Sequence, residues 1–576
     1  MHSLSPFCQL HESEEELELR GNVTGTVGAI AGAIGAQGFQ PFLETSINVA
    51  MDGLRYTNIR LREQTFVFFS TLAKTFCFDF CKYLPMVMPY LLESLDQSET
   101  NSDDDDGNAQ ESQLADGIES ELAGEDDFVD LDGSDSINSD LFAKLTAVHS
   151  AVAMEKEVAA DVIAEIFAHT KISFEPFLEP AIDKLLSCTT HIYEGLRKNA
   201  IGSLWRITGV LYEMSSPADW SPGYSQPPLD GNVDQVAEVV RQATWAMLED
   251  EDDGTSLTGN SAVVIEILRN MSEMIKLCGV SILGNNLEKV GELVLSILQR
   301  RAPFQLDDLG EAEESDAEDH VPLDAESAEA ETLAIDCATD VVIALCRALG
   351  PSFSEGVKTF LPYIAHYYGS RKTLSERAFV IASLGGIADG LKEGVTPYTK
   401  DFLEMIVGAL EDEEAEVRSN AAYSLGLLCL RTKEDLSGQY LPLLSRLQSF
   451  FEPGNQCRNA KDNAIGCLSR MIIARPACVP LDQVLPVIVQ HLPLEDDYLE
   501  NEPLFEMIIT LYHSNDSNIM SLTEQLLPVF ESVLSSPNDP VLDSTRKNII
   551  TLLQNLNSQF PNLISQTPVL AAAINS

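Results

Sequence analysis

Between residues 411 and 428 (EDEEAEVRSNAAYSLGLL) a run of acids reaches Val417-Arg418 and gives way to an apolar stripe of Ala421, Ala422, Leu425 and Leu428. Spacing of three and four predicts a helix buried along one face. The frame recurs forty residues on, with Arg458 for Arg418 and Ile465-Gly466 for Leu425-Gly426. It also stands forty-one residues earlier, as Arg377 followed by Leu384-Gly385. A fixed period near 40 in a helical register is the signature of a repeat array.

Each period reads as two helices, A then B. The A helix carries a proline beside a large apolar residue, as in Pro41-Phe42, Pro85-Met86, Pro176-Phe177, Pro362-Tyr363, Pro397-Tyr398, Pro442-Leu443, Pro486-Val487 and Pro528-Val529. Proline is accepted in a first turn and kinks a helix further in, so each one marks a start or a bend. The B helix carries an arginine seven residues before an apolar side chain: Arg62/Phe69, Arg197/Leu204, Arg377/Leu384, Arg418/Leu425, Arg458/Ile465 and Arg546/Leu553. Seven is close to two turns, so the arginine edges the buried stripe, and its head can reach an acid or carbonyl of the adjacent repeat. The predicted fold is all-α, a HEAT-repeat α-solenoid, a superhelix of about ten antiparallel helix pairs. Residues 23–37 carry a stripe with no partner helix ahead of them, so the chain enters in mid-repeat.

Two stretches break the period. Residues 96–140 hold seventeen acids and residues 307–331 twelve, neither with a Lys or Arg. The densest runs are Asp103, Asp104, Asp105 and Asp106; Glu125, Asp126 and Asp127; and Glu313, Glu314 and Asp316. Without a stripe, and rich in Ser, Gly and Ala, both are predicted to be disordered loops set between an A helix and its B helix. The expected organisation is an acidic, frayed start (1–21), repeats (22–95), a loop (96–140), repeats (141–306), a loop (307–331), repeats (332–557) and a tail (558–576). A third insertion, 217–230 (PADWSPGYSQPPLD), reads as a Pro-rich connector, and shorter acid patches at 249–253, 411–416 and 495–497 fall in inter-helix turns.

Charge changes the picture most. The 576 residues include 90 Asp plus Glu against 36 Lys plus Arg, a formal net charge of −54, at 45% hydrophobic content. Such a field repels nucleic acid and anionic membrane and attracts basic proteins over a Debye length of about 8 Å. The eleven cysteines are scattered without a CxxC, which reads as core thiols in a reducing compartment. No basic, then apolar leader opens the chain, and 23–39 is too short and Gly-rich for a membrane span, so a soluble intracellular protein is expected. Nine isolated histidines, with no HExxH, P-loop, GxGxxG or GxSxG, point away from metal and cofactor chemistry and from enzymes.

Residues 152–180 (VAMEKEVAADVIAEIFAHTKISFEPFLEP) and 193–207 (YEGLRKNAIGSLWRI) resemble segments of the importin-β (karyopherin) family, and within it the importin-4 branch. The resemblance covers most of residues 23–557 and looks like the family's C-terminal half. It implies a nuclear import receptor whose cargoes are basic proteins such as core histones and ribosomal proteins. It implies Phe-Gly nucleoporins as partners on the outer helices, and passage between cytoplasm and nucleus through the pore. Ran-GTP contacts lie in the family's N-terminal repeats, for which this chain has no recognisable version. By analogy cargo binds the concave surface made by B helices.

A hydrated lysine ammonium is captured by several acceptors and an aromatic face. The B helices offer Asn199 and Trp205, Glu376, Asn420 and Tyr423, and Asn459, Asp462 and Asn463, with Asn420 one turn before Ser424. The plainer alternative is that Trp205 and Tyr423 are core and the asparagines only neighbour the arginines. The acidic loops are either solvated spacers or a nucleic-acid mimic that shields basic cargo. Two rival functions stay open: a dedicated acidic chaperone without transport, and a HEAT scaffold, for which 29 acids in two loops serve no purpose.

Overall fold

The structure, a computed structural model, describes residues 13–97, 135–249, 261–306, 325–369, 371–452, 457–536, 541–560 and 567–574. Among them there is no strand, and no helix is long and apolar enough to cross a membrane. The acids singled out above, Asp103 to Asp106, Glu125 to Asp127, Glu313, Glu314 and Asp316, lie outside the described residues. The chain forms two compact units, one of residues 13–220 and 226–337, the other of 221–225 and 338–574.

The first unit opens with a B helix, α1 (Glu14–Phe39). It continues with alternating A and B helices: α2 (Leu43–Gly53), α3 (Ile59–Phe76), α4 (Leu84–Asp96), α5 (Asp135–Thr170), α6 (Glu175–Cys188), α7 (Glu194–Met214), α8 (Gly231–Glu249), α9 (Ser261–Cys278) and α10 (Leu287–Leu298). Helix α11 (Ala325–Leu349) belongs to the first unit up to Cys337 and to the second from Ala338. The second unit then runs α12 (Leu361–His366), α13 (Leu374–Leu391), α14 (Thr399–Ala409), α15 (Ala415–Arg431), α16 (Ser437–Leu447), α17 (Arg458–Ala474), α18 (Leu481–Gln490), α19 (Asn501–His513), α20 (Thr523–Ser535), α21 (Asp543–Gln559) and α22 (Pro568–Ala573).

B helices stack on B helices: α1, α3, α5, α7 and α9 in succession in the first unit, and α13, α15, α17, α19 and α21 in the second. The inner helices of each series are thus flanked on two sides, and Phe69, Leu204, Leu384, Leu425, Ile465 and Leu553, the apolar partners of the arginine frame, are all buried. Glycine sets how closely the helices approach. A methyl group at Gly426 would lie 2.8 Å from the Cys467 Cα, so α15 and α17 touch backbone to backbone there. The prolines divide by position. Pro85, Pro176 and Pro362 stand in the first turn of α4, α6 and α12, whereas Pro442, Pro486 and Pro528 lie inside α16, α18 and α20. Those three are exposed, so the carbonyls they leave without a donor meet water.

Five corners from a B helix to the next A helix, those after α3, α5, α9, α11 and α13, share a geometry that the sequence pattern did not display. One residue takes a positive φ, and the third residue after it is buried. The pairs are Cys77 and Phe80, Lys171 and Phe174, Gly279 and Ile282, Gly350 and Phe353, and Lys392 and Val395. A 3-10 turn carries the chain between them.

Three boundaries differ from expectation. Residues 14–21 are helical rather than frayed, because Leu17 and Arg20 are buried and Glu14, Glu15 and Glu16 favour the first turn of α1. Residues 135–140 belong to α5 and residues 325–331 to α11, whose Glu331 is held by Arg300 at 3.0 Å. The short helix α22 buries Leu570 and packs on α20.

Candidate protein-binding face

The arginines at the start of B helices tie the turn ahead of them. Arg197 donates to the carbonyls of His191 and Ile192 at 2.6 and 2.7 Å, and Arg418 to those of Asp412 and Glu413 at 2.6 and 2.8 Å. Three also reach a neighbouring repeat, as expected: Arg62 bonds Glu155 at 2.7 Å, Arg377 grips both oxygens of Asp412 at 3.1 Å, and Arg458 bonds Glu495 at 3.0 Å. The pattern extends to Arg20, which donates to the Val49 carbonyl and to Asp52.

The asparagines form a second tie. Asn199 donates through its amide to the Glu157 carbonyl at 3.2 Å, and Ser203, one turn on, to the Ala160 carbonyl at 2.8 Å. In the second unit Asn420 donates to the Ala378 carbonyl at 3.0 Å and Ser424 to that of Ile381 at 2.6 Å. The same pair therefore clips α7 to α5 and α15 to α13. Both asparagines are half-buried, and among the described residues no hydrogen bond reaches either Oδ1. They present an acceptor outward while the amide works inward.

The other candidates separate sharply. Trp205 is core, only 2% exposed, with its indole N–H bonded to Thr244 at 3.1 Å. Glu376 is buried as the closing half of a capping box with Thr373. Burial acts to raise its pKa, but the Thr373 amide and hydroxyl, with Lys372, prevail and hold the carboxyl below the ordinary range. Asp462 is buried too, and one oxygen accepts the backbone N–H groups of Glu495, Asp496 and Asp497 at 3.1, 2.8 and 3.0 Å. Its place is to hold the turn into α19. Asn463 is buried and donates to Ser419 and to Asn459, which is exposed. Tyr423 is half-buried under the Arg470 guanidinium, 5.2 Å from its ring centre, and Arg470 in turn pairs with buried Glu500 at 2.6 and 2.9 Å. Asn199, Asn420, Tyr423 and Asn459 thus retain surface; Trp205, Glu376, Asp462 and Asn463 are committed to the interior.

One group was missed. Glu157, Asp161 and Glu165 stand four residues apart on α5, so they share one face of a B helix, and that spacing was readable. The Glu157 carboxylate lies over Gly195, where a methyl group would meet it at 2.1 Å, and burial pushes its pKa up. Asp161 keeps half its surface although Arg206 reaches it at 3.0 Å. The result is an acidic stripe beside the Asn199 acceptor. Among the described residues no group of His, Cys, Asp and Glu is arranged to hold a metal ion. This geometry suits a flexible, basic polypeptide.

No protein-family model matches the chain. It is 39% identical to the probable importin subunit beta-4 of Schizosaccharomyces pombe over all of its own length and 52% of that protein. It is 24% identical to importin-4 of Mus musculus, over 72% of this chain and 36% of the relative. The chain spans about half the length, or less, of the curated relatives it matches. Among solved structures it resembles Kap121p bound to Nup53p, with a TM-score of 0.59 and 14% identity, covering 100% of this chain and 49% of that one.

Proposed function

This chain belongs to the importin-β (karyopherin) family, in its importin-4 branch, and from that premise we propose that it is the cargo-binding part of a nuclear import receptor. The supporting observation is the 39% identity to an importin subunit along the whole chain. It is a receptor rather than an enzyme, and moves between cytoplasm and nucleus through the pore. Its cargo is a basic protein, such as a core histone or ribosomal protein. The stripe of Glu157, Asp161 and Glu165 takes lysines in the first unit, and Asn420, Tyr423 and Asn459 give acceptors and an aromatic edge in the second. The acids at 98–134 and 307–324 add long-range attraction. That a solved relative is described as bound to Nup53p supports nucleoporins as partners. Ran-GTP acts through the N-terminal repeats of the family.

The test is a pulldown of a histone with this chain and with a version extended by N-terminal repeats, each with and without Ran-GTP. Both should hold the histone, and only the extended version should release it to Ran-GTP. Retention by both would replace transport with an acidic chaperone. Reversal of the stripe, Asp161→Lys with Glu165→Lys, should weaken capture by at least about tenfold at low salt; unchanged capture would remove the stripe from the site.

A further inference from the structure

The Pro-rich insertion at 217–230 is absorbed by nothing above, yet it is built in firmly. The Trp220 indole N–H donates to the Leu277 carbonyl at 3.1 Å. The Val280 N–H donates to Gln226 Oε1 at 2.7 Å, and the Ser281 hydroxyl to the Pro227 carbonyl at 2.8 Å. These bonds fasten the insertion to the end of α9. Between it and the C-terminus of α7 they leave a cavity of about 230 Å³, with Tyr212, Ser215, Trp220, Pro227, Pro228 and Asp230 in its wall.

We propose that this cavity is a pocket for one arginine or lysine side chain of a basic segment, separate from the B-helix face. Every charged residue in the wall is acidic, since Asp230 is the only one, and Glu213 and Asp219 adjoin it in the chain. A nearby base, Lys171, is occupied by Glu213 at 3.8 Å. The carbonyl end of α7 faces the same space, and a helix C-terminus favours a cation. The tyrosine, tryptophan and prolines give an aliphatic stem apolar walls, and an indole face attracts a guanidinium or ammonium group. The thiol of Cys278, also in the wall, is pushed up to about 12, by burial first and the Glu213 charge second.

The pocket extends the reading of a receptor for basic proteins to a second site, and it can fail alone. The chain has three tryptophans, of which Trp205 and Trp245 are at most 9% exposed, so Trp220 is the natural reporter. The probe is a short Gly-Arg repeat peptide, titrated at low salt against a matched peptide with citrulline for arginine. The arginine peptide should change tryptophan emission saturably, and the neutral peptide should not. That comparison needs no variant. The change should vanish in Trp220→Phe, and Asp219→Asn with Asp230→Asn should weaken binding by about tenfold. An asparagine at 230 still offers an oxygen to the Asn232 N–H that Asp230 accepts at 3.1 Å, which protects the start of α8. Equal response to both peptides, or no Trp220-dependent response, overturns the pocket. The stripe variant at Asp161 and Glu165 should leave this signal intact; if it abolishes it, one site explains both results and the pocket is overturned.

Discussion

At the ends of α3, α5, α9, α11 and α13 the chain turns through one positive-φ residue and buries a side chain three positions on. The turns into α7, α15 and α19 bury few large side chains, and are held by side chains of helices: Arg197 and Arg418 at the start of the helix that follows, and Asp462 on the preceding B helix. An apolar corner works in one register only, because a shift of one residue moves the hydrophobe out of its socket. A turn held by a side chain on backbone groups makes no such demand, and loop closure costs little per added residue. The acid-bearing sequence stretches 98–134, 250–260 and 307–324 fall between an A helix and its B helix. Five B-to-A corners therefore keep a fixed register, while the corner between α7 and α8 takes in the 217–230 insertion.

The largest effect should come from emptying a corner. Phe174, fully buried with Phe167 at 5.1 Å, should cost about 3–5 kcal/mol as Phe174→Ala, read from the urea midpoint of the first unit. A loss below about 1 kcal/mol would mean that the corners are not structural keystones. Next, Asp462→Ala strips the acceptor from three backbone amides and should cost about 1–3 kcal/mol. Amide exchange should speed up at 495–497 and not at the corners. A third change should stabilise. Lys392 holds φ 51 and ψ −130, a region that glycine enters far more readily, so Lys392→Gly should raise stability by about 1 kcal/mol, seen as a higher melting temperature.

The capping box at the turn into α13 gives a pH test. The folded-state pKa of Glu376 is lowered, so its contribution is present above the unfolded value and is lost as pH falls through the folded one. Glu376→Gln should therefore flatten the acid limb of the stability profile, and an unchanged limb would place the acid sensitivity elsewhere. The smallest effect on stability belongs to the exposed acids: Glu413→Gln with Glu414→Gln should stay within about 0.5 kcal/mol. The same pair should still slow association with a basic partner at low salt, since it removes field without removing packing.

The amino-acid sequence alone determined the helical class, the period near forty and the arginine frame, because the helical repeat is a local property that a stripe records directly. It also carried the resemblance from which function follows. What it could not decide was which polar residues of a B helix face solvent. Asn420 and Asp462 stand two and four residues after their arginines, yet one presents an acceptor outward and the other spends its carboxylate on a neighbouring turn. A stripe distinguishes a buried side from the rest of one helix. A B helix packed between two others has polar positions that meet a neighbouring backbone instead of water, and only the tertiary structure says which. The corners escaped notice for the same reason: a positive φ at Cys77, Lys171 or Lys392 is imposed by the socket that receives the residue three places on, and no glycine marks it.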